Sequence, residues 1–430
     1  MGQSRRAFLK GTAASALIAA MPSVEANPRA PAPRTTPLYP NPGRLVAVTD
    51  ARAVIGSGRV DETVVQAMFD EAVMRFTGLF SSPSDALASL FPGLTANSRI
   101  AIKPNLINSS TPTRKELVKA LIRRLMEMPV GLTPSHITLY ERHSFSANGY
   151  TTQYFGAPVN LVVDSTFPDL GYTIHCDGKD RPYSKSLHDA DYLVNMPVLK
   201  DHGCSMGFTM AFKNHMGTVN PGGPLGICSN KRAVLDIMAN PVMTGKQVFI
   251  LMDCLFAVIN GGPGGSPQAV PATITLSQDP VTTDYFGRGL INDLRRAQAY
   301  APKPGTYIEE AAAPPFSIGI ADPSRMNIIT INYTTPLDER YVPVGWTLSD
   351  CYPNPFRGTA EFLLDMSAPG FITATVFTIE GRREATLQNG PLPAGTTSIR
   401  WKPSKSREGT YFLVIDNGKT QAIRKMVYIP

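Results

Sequence analysis

The chain lacks the short motifs that mark common metal, redox and nucleic-acid sites. Its five cysteines form no CxxC pair, which argues against an iron–sulfur cluster or a structural zinc knuckle, and their odd number argues against a complete disulfide framework. No HExxH helix appears. The net charge is +7 but no basic run is of nucleic-acid-binding type, so nucleic acid is not an expected partner. Beyond the N-terminus, no segment is apolar for long enough to span a bilayer.

The first residues have the features of a twin-arginine export signal. SRRAFLK (Ser4 to Lys10) precedes a short, mildly apolar run of small residues and the triplet Val24-Glu25-Ala26. We expect a signal peptide over residues 1–26, with the twin-arginine export machinery as partner and an exported, periplasmic protein as product. Residues 27–43 are rich in proline and are predicted to be an extended spacer.

Residues 44–335 are predicted to form an α/β domain, a mostly parallel sheet with helices on both faces. Short apolar runs alternate with amphipathic stretches, as in LVAVTDA, DETVVQAMFDEAVMRF and RIAIKPNL. The runs NLVVDS, YLVNMPVL, VFILMD and ATITLS are continuously apolar, which is typical of strands covered on both faces. A helix is expected after Asp279-Pro280, with Asp279 as its N-cap and proline at its first position, and a last strand is expected over Met326 to Thr334.

Residues 346–430 have a different pattern, which predicts a small all-β sandwich. Turn residues recur at short spacing between alternating segments such as TAEFLLDM and GTYFLVIDNG. The run YPNPF, the EGR turn, AGTTSIRW and the terminal KMVYIP resemble an Ig-like module related to flagellar-hook capping proteins and to the C-terminal sorting domains of type IX secretion. The resemblance implies sorting or attachment, with an outer-membrane secretion system as partner and a cell-surface or extracellular location. The alternative is an accessory sandwich without a sorting role.

Polar residues follow most of the predicted strands of the α/β domain. Ligands of open parallel sheets bind beyond the carboxyl ends of the strands, so we expect one edge to gather these side chains. They are Lys103, Asn105, Glu141, His143, Asp164, Lys200, His202, Cys204, Asp253, Asp279 and Asp284.

Two lysine-containing clusters, KDHGC and KNHMG, suit the binding of phosphate, carboxylate or enolate better than they suit packing. Lys200 and His202 are two apart and share one face if the strand continues, which makes His202 a candidate general acid or base. The candidate catalytic residues are Lys200, His202 and Lys213. Asp253 is predicted to orient a base or to hold a metal. An alternative metal set is His202, Cys204 and His215, although no established ligand spacing supports it.

The glycine-rich run INGGPGGS (Ile259 to Ser266) permits close approach of backbone amides to an anion or cofactor. It matches neither GxGxxG nor the GKS/GKT phosphate loop, and a tight irregular turn is the alternative. The candidate ligand-binding residues are therefore Lys103, Asn105, Asn214, Gly261, Gly262, Gly264 and Gly265.

Several ordered motifs resemble the bacterial and archaeal family known as domain of unknown function 362. They are IKPNL, NMPVLKDH, MAFKNHMGTV, VFILMDCLFAVINGGPGG and SQDPVTTDYFGRGLI, within residues 44–335. Some members carry ferredoxin-type clusters, which implies redox or cofactor-linked chemistry, but this chain lacks those cysteines and the cofactor stays open. The paired Lys and His motifs are also similar to those of the nickel-pincer lactate racemase group.

The leading hypothesis is an exported enzyme of uncharacterised reaction that binds an anionic small molecule at the strand ends. Lys103, Lys200 and Lys213 would stabilise its negative charge. The alternatives are a non-catalytic ligand-binding protein and a structural cell-surface protein.

Overall fold

The computed structural model describes residues 41–56, 58–80, 82–165, 167–221, 229–333, 346–379, 382–404, 406–417 and 421–429. The predicted signal peptide and nearly all of the predicted spacer lie outside the described residues, and so does Cys228.

The first region alternates strands and helices. Its strands are β1 (Arg44–Asp50), β2 (Val54–Ile55), β3 (Arg59–Val60), β4 (Ile100–Lys103), β5 (Ile137–Glu141), β6 (Asn160–Val163), β7 (Thr173–Cys176), β8 (Lys179–Pro182), β9 (Tyr192–Asn195), β10 (Val198–Asp201), β11 (Phe208–Thr209), β12 (Gln247–Val258), β13 (Thr273–Ser277) and β14 (Asn327–Tyr333). Its helices are α1 (Glu62–Thr77), α2 (Pro83–Ala88), α3 (Lys115–Met126), α4 (Thr152–Phe155), α5 (Lys185–Asp189), α6 (Ala211–Asn214), α7 (Lys231–Ala239), α8 (Pro241–Lys246), α9 (Pro280–Ala297) and α10 (Tyr307–Ala312).

The large sheet is mostly parallel, as predicted. Its strand order is β14-β1-β13-β12-β9-β4-β5-β6, with β10 paired to β12 and β11 paired to β10. The five strands from β12 to β6 are parallel to one another. The carboxyl ends of β4, β5 and β9 therefore lie side by side, which is where the polar residues were expected to meet.

The strand β13 departs from the prediction because it runs antiparallel to both of its neighbours, β1 and β12. Residues 259–272 link β12 to β13 without a helix, so the chain returns as an adjacent antiparallel strand instead of crossing over. The prediction that Asp279 joins the other strand ends is therefore wrong. The predicted N-cap role of Asp279 is confirmed, because its Oδ1 accepts hydrogen bonds from Val281 N (2.8 Å) and Thr282 N (3.1 Å) at the start of α9.

Two further strands differ from the sequence expectation. The predicted strand YLVNMPVL is divided at Pro197 into β9 and β10, since a proline has no N–H for a sheet ladder. The apolar run NLVVDS forms β6, which is not covered on both faces. It lies at the edge of the sheet with Asn160 and Val163 exposed.

Apolar side chains cover both faces of the sheet. In β4, Ile100 and Ile102 pack into the cluster formed with α1, α2 and α3. Ala101, between them, packs into a second cluster with residues of α5, α7 and α8. This alternation is why the strand is apolar throughout and why its first polar residue, Lys103, comes at its carboxyl end.

The C-terminal residues form two antiparallel sheets. Their strands are β15 (Trp346–Leu348), β16 (Ala360–Met366), β17 (Gly370–Thr378), β18 (Arg383–Leu392), β19 (Gly395–Trp401), β20 (Gly409–Asp416) and β21 (Gln421–Tyr428). One sheet has the order β15-β16-β19 and the other has the order β18-β17-β20-β21. Both contribute to one apolar core, which includes Phe362, Val376 and Leu413. Across the described ranges, no helix combines the length and the apolarity needed to cross a membrane.

Candidate functional site

Lys103 and Glu141 form a buried ion pair at the carboxyl ends of β4 and β5. The Lys103 Nζ donates to the Glu141 carboxylate and to the carbonyl oxygen of Pro104 (2.8 Å). Burial lowers the pKa of Lys103, and the Glu141 charge opposes that shift. A Cβ atom at Gly217 would lie 3.0 Å from Glu141 Oε1 and from Lys103 Nζ, so a larger residue there would require the ion pair to shift by a few tenths of an ångström.

Lys200 is fully buried in β10, and its amino group has fewer hydrogen-bond partners than that of Lys103. Its Nζ donates to Asn105 Oδ1 at 2.9 Å, the one acceptor that the described part of the chain offers it. Burial lowers the pKa of Lys200 to about 7, although the charges of Asp253 and Glu141 act in the opposite direction. Lys103 and Arg114 are close enough to lower that pKa further.

Three buried asparagines connect these lysines. Asn105 Nδ2 donates to Asn214 Oδ1 (3.0 Å), and Asn214 Nδ2 donates to the carbonyl oxygen of Lys103 (3.0 Å) and to Asn195 Oδ1 (2.8 Å). Asn195 Nδ2 in turn donates to the carbonyl oxygen of Ala211 (3.0 Å). Residues up to about a hundred positions apart in the sequence therefore form one hydrogen-bonded group, which we call the lysine–asparagine cluster: Lys103, Asn105, Glu141, Asn195, Lys200 and Asn214.

Residues 100–288 match the family model described as Domain of unknown function (DUF362). The lysine–asparagine cluster lies entirely within this DUF362 region. The matched span is shorter than the predicted 44–335. In the structure, however, β1 and β14 join the same sheet as the matched strands, on the far side of β13.

Solved structures resemble the chain only weakly. PorZ, a surface component of the type-IX secretion system of Porphyromonas gingivalis, is 17% identical over 22% of this chain and 13% of its own, with a TM-score of 0.15. The CARDB domain of a Pyrococcus furiosus protein is 12% identical over 22% of this chain and 100% of its own, also with a TM-score of 0.15. TM-scores this low do not establish a shared fold. No curated protein matches the chain significantly.

Asp253 lies in β12 of the DUF362 region, next to the lysine–asparagine cluster. Its Oδ2 accepts a hydrogen bond from Arg114 N (2.6 Å) and its Oδ1 accepts one from Leu255 N (2.9 Å). Burial raises its pKa, while these backbone donors favour the charged form. Asp253 thus fixes the start of α3 beside Lys200. Within the described ranges, no group of three or more His, Cys, Asp or Glu side chains is placed to hold a metal ion.

His202 does not continue the strand of Lys200, as the prediction of a shared face requires. β10 ends at Asp201, and β11 pairs back with it so that Lys200 lies opposite Thr209. His202 is therefore in the hairpin turn, where its Nδ1 accepts a hydrogen bond from Cys204 N (3.0 Å).

The turn also contains Ser205 in the letters GCSMG, which fit the GxSxG pattern of hydrolases. Ser205 is exposed and lies between two strands, not at a strand-to-helix elbow, and its Oγ donates to Ser229 O (2.7 Å).

The glycine-rich loop packs against this hairpin and not against the lysines. Gly262 N donates to Asp201 Oδ1, and a Cβ atom at Gly262 would lie 2.1 Å from the Asp201 carbonyl oxygen. The Asn108 Nδ2 donates to the carbonyl oxygens of Pro263 (3.0 Å) and Gly265 (2.8 Å). Gly262 thus allows the loop to lie close to the backbone of Asp201, where the prediction was a close approach to an anion or cofactor. Gly261, Gly264 and Gly265 are exposed.

Lys213 and Asn214 lie on the short helix α6, both buried. The buried carboxylate of Asp284, on α9, holds the start of α6, since Ala211 N donates to its Oδ1 (2.7 Å). Tyr307 Oη donates to the other oxygen (2.7 Å). Burial raises the pKa of Asp284 to about 7, although these donors act against the shift. Asp284 therefore stabilises the position of Lys213 and Asn214 by holding the start of α6.

His215 follows α6 and does not join His202 and Cys204 in a metal site. Its Nε2 lies 3.0 Å from Gln247 Oε1 and its Nδ1 lies 3.1 Å from Thr218 Oγ1. The amide oxygen of Gln247 can only accept, so Nε2 carries the proton and Nδ1 accepts from Thr218. Burial lowers the pKa of His215 to about 3. Both ring nitrogens are thus used by the fold, and the predicted metal set is wrong.

The sequence pattern places Glu141 at a strand end without indicating a role for it, and it indicates neither Asn195 nor Gly217. Asn195 ends the apolar run YLVN, so the rule of collecting strand-end residues would have found it once that run was divided at Pro197. No local pattern identifies Gly217, because its importance comes from the ion pair beside it.

Proposed function

We propose that the domain binds an anionic small molecule at the lysine–asparagine cluster and that Lys200 exchanges a proton with it. The observation that carries the proposal is the buried amino group of Lys200, which is held by one neutral acceptor. An ammonium group has three N–H donors, and burying it without a matching acceptor is costly. An anion beside Lys200 would provide both acceptors and charge.

The difference between Lys103 and Lys200 in their hydrogen-bond partners supports the proposal. Its charge is already matched by Glu141, and a backbone carbonyl accepts a second N–H. We therefore assign Lys103 and Glu141 to shaping the site and Lys200 to contacting the ligand. An amine whose pKa lies near 7 can give or take a proton at neutral pH, which favours an enzyme over a protein that only binds.

Lys246 provides a matched control, because it is another buried lysine of the same domain. Its Nζ donates to the carbonyl oxygens of Leu187 (2.9 Å), His188 (2.8 Å) and Ala190 (2.6 Å). All three N–H groups have acceptors from the fold. This is the pattern of a structural lysine, and Lys200 does not have it.

The test is thermal unfolding of the wild type, Lys200→Met and Lys246→Met with inorganic phosphate or oxalate as probes. We expect an anion to stabilise the wild type, by about 2.7 kcal/mol at a hundred times its dissociation constant, and to stabilise Lys246→Met equally. Lys200→Met should fold but lose the response. An equal response in Lys200→Met, or none in the wild type with either probe or with the small molecules that co-purify from the native host, would contradict the proposal.

We also propose that the chain is exported through the twin-arginine route and that residues 346–430 are an Ig-like attachment or sorting domain. SRRAFLK supports the first proposal. The second is supported by the YPNPF, AGTTSIRW and KMVYIP motifs together with two antiparallel sheets around one core. An outer-membrane secretion system would then be a partner, and the cell surface the location.

A further inference from the structure

We propose that Lys200 is a nucleophile that forms an imine with a small aldehyde or ketone carrying a carboxylate. The inference rests on the proposed function, because the carboxylate is the anionic group that brings the carbonyl compound to the cluster. It adds a covalent step and a substrate class. Three features of the site support it: the free donors of Lys200, the neighbouring cations, and a buried hydroxyl on the same side of the hairpin.

The amino group of Lys200 is held in place without being saturated. Asn105 Oδ1 accepts one N–H, and Asn105 is itself fixed by Asn214 at 3.0 Å. The amide oxygen orients the nitrogen but does not neutralise a charge on it. The burial described above also favours the uncharged amine, which is the form that attacks carbonyl carbon.

The charges of Arg114 and Lys103 both act on Lys200, and both disfavour a third positive charge there. The Arg114 guanidinium lies over the ring of Phe256 (4.1 Å to the ring centroid), and its backbone N is fixed by Asp253. Its Nε is buried without a hydrogen-bond partner among the described residues. A planar guanidinium with a spare donor is suited to a carboxylate, so we assign the carboxylate of the ligand to Arg114.

Thr209 supplies the third feature. It lies directly opposite Lys200 in the antiparallel β10–β11 pair, and directly opposed side chains lie on the same face. Thr209 is buried, and its Oγ1 has no hydrogen-bond partner in the part of the chain that the structure describes. A buried hydroxyl without a partner costs free energy unless a ligand completes its bonding. The hydroxyl of an addition intermediate on Lys200 would do so.

The reaction needs no oxidant or reductant. The neutral amine of Lys200 adds to the carbonyl carbon, a C–N bond forms, and a proton moves from nitrogen to oxygen to give a carbinolamine. The carbinolamine then loses its hydroxyl group as water, with one added proton, and leaves a protonated imine. Asp253 and Glu141 lie within electrostatic reach of Lys200 and stabilise the cationic imine.

The experiment traps the imine on the full chain at pH 7 with glyoxylate and sodium cyanoborohydride, followed by peptide mass spectrometry. Acetaldehyde, which lacks the carboxylate, is the matched probe. We expect glyoxylate to modify Lys200 at least about tenfold more than the exposed Lys402, because burial favours the uncharged, nucleophilic form of the Lys200 amine. Lys246 should stay at background, acetaldehyde should modify Lys200 less, and Thr209→Val should lower the modification without lowering the melting temperature.

Modification of Lys200 no greater than that of Lys402 would overturn the inference. If oxalate or phosphate still stabilises the wild type but not Lys200→Met, the anion site stands and only the imine is wrong. If neither anion stabilises the wild type and Lys200 is unmodified, both proposals fail. Equal modification of Lys200 by acetaldehyde and glyoxylate would contradict the assignment of the carboxylate to Arg114.

Discussion

At the scale of single residues, partners distinguish a site residue from a structural one better than burial does. Lys200 and Lys246 are both buried lysines of one domain. Three backbone carbonyls surround the Lys246 amino group, whereas one amide oxygen meets that of Lys200. The lysine amino group at position 246 thus donates to three backbone carbonyls, whereas the one at position 200 keeps donors for a ligand.

We expect Lys246→Met to destabilise the domain by more than about 2 kcal/mol, because three carbonyl groups, two of them in buried hydrogen bonds, lose their donor. Lys200→Met should cost less than about 1 kcal/mol, since it removes a group that the fold satisfies poorly. Urea unfolding at pH 7 measures both. Costs of similar size would mean that Lys200 is structural.

Lys200 should also give the domain a pH dependence. Its folded-state pKa of about 7 lies below the ordinary lysine value of about 10.4, so between these values the unfolded chain binds a proton that the folded chain does not. Stability of the wild type relative to Lys200→Met should therefore rise from pH 7 toward pH 10, by at most about 1.4 kcal/mol per pH unit. Urea unfolding from pH 6 to pH 9.5 tests this, and a flat difference would contradict it.

At the scale of elements, the site depends on a short helix that could not be stable alone. α6 has four residues, and Asp284 and Tyr307 hold its start from α9 and α10. Lys213 and Asn214 take their positions from that anchor. The reversal of the chain at His202 has a similar effect, because the hairpin brings Thr209 opposite Lys200.

Asp284→Ala is therefore expected to weaken anion binding indirectly, because Asp284 holds α6 in place and does not itself contact the ligand. The substitution leaves buried N–H and O–H donors without an acceptor and should cost more than about 2 kcal/mol of stability. Asp293→Ala, at an exposed position of the same helix, should stay within about 0.5 kcal/mol of the wild type. Thermal unfolding with and without oxalate measures both effects. An unchanged oxalate response in Asp284→Ala would show that α6 does not depend on this anchor.

At the scale of the whole molecule, the two parts of the chain have separate apolar cores. The core around Phe362 and Leu413 contains only residues that follow position 345, and the cores of the α/β region contain none of them. Parts with their own cores generally fold on their own.

Deletion of residues 346–430 should leave the α/β domain folded and anion-responsive but change where the protein is found. Cooperative unfolding of the truncated chain and fractionation of the cells measure the two outcomes. Loss of the cooperative transition would show that the parts depend on one another, and unchanged localisation would contradict the sorting role.

Replacement of Arg5 and Arg6 by lysine should keep the precursor in the cytoplasm, because the paired arginines are what the export receptor reads. Fractionation and immunoblotting of the two variants measure this, with a block of the Sec route as the control. Export that continues without change in the variant would contradict the twin-arginine assignment.

Much of the architecture could be predicted because it depends on local pattern. The helices α1 and α9 and the strands β1 and β4 lie where amphipathic period and apolar runs indicated. Lys103, Asn105 and Lys200 were also expected to meet, since the carboxyl ends of parallel strands share an edge, and hydrogen bonds that pass through Asn214 join them. The strand β18 was missed because REATLQNGPL does not alternate clearly between apolar and polar residues.

The sequence alone therefore determined the fold class and the order of the elements, and it named five of the six members of the lysine–asparagine cluster, because hydrophobic period and strand-end position are local properties. Tertiary structure decided the direction of β13, the turn at His202 and the close packing of Gly262 on Asp201. It also decided which lysine is matched by a carboxylate and which is left with one amide. These features depend on contacts between residues distant in sequence, and no local pattern encodes the partner that a buried charge will meet.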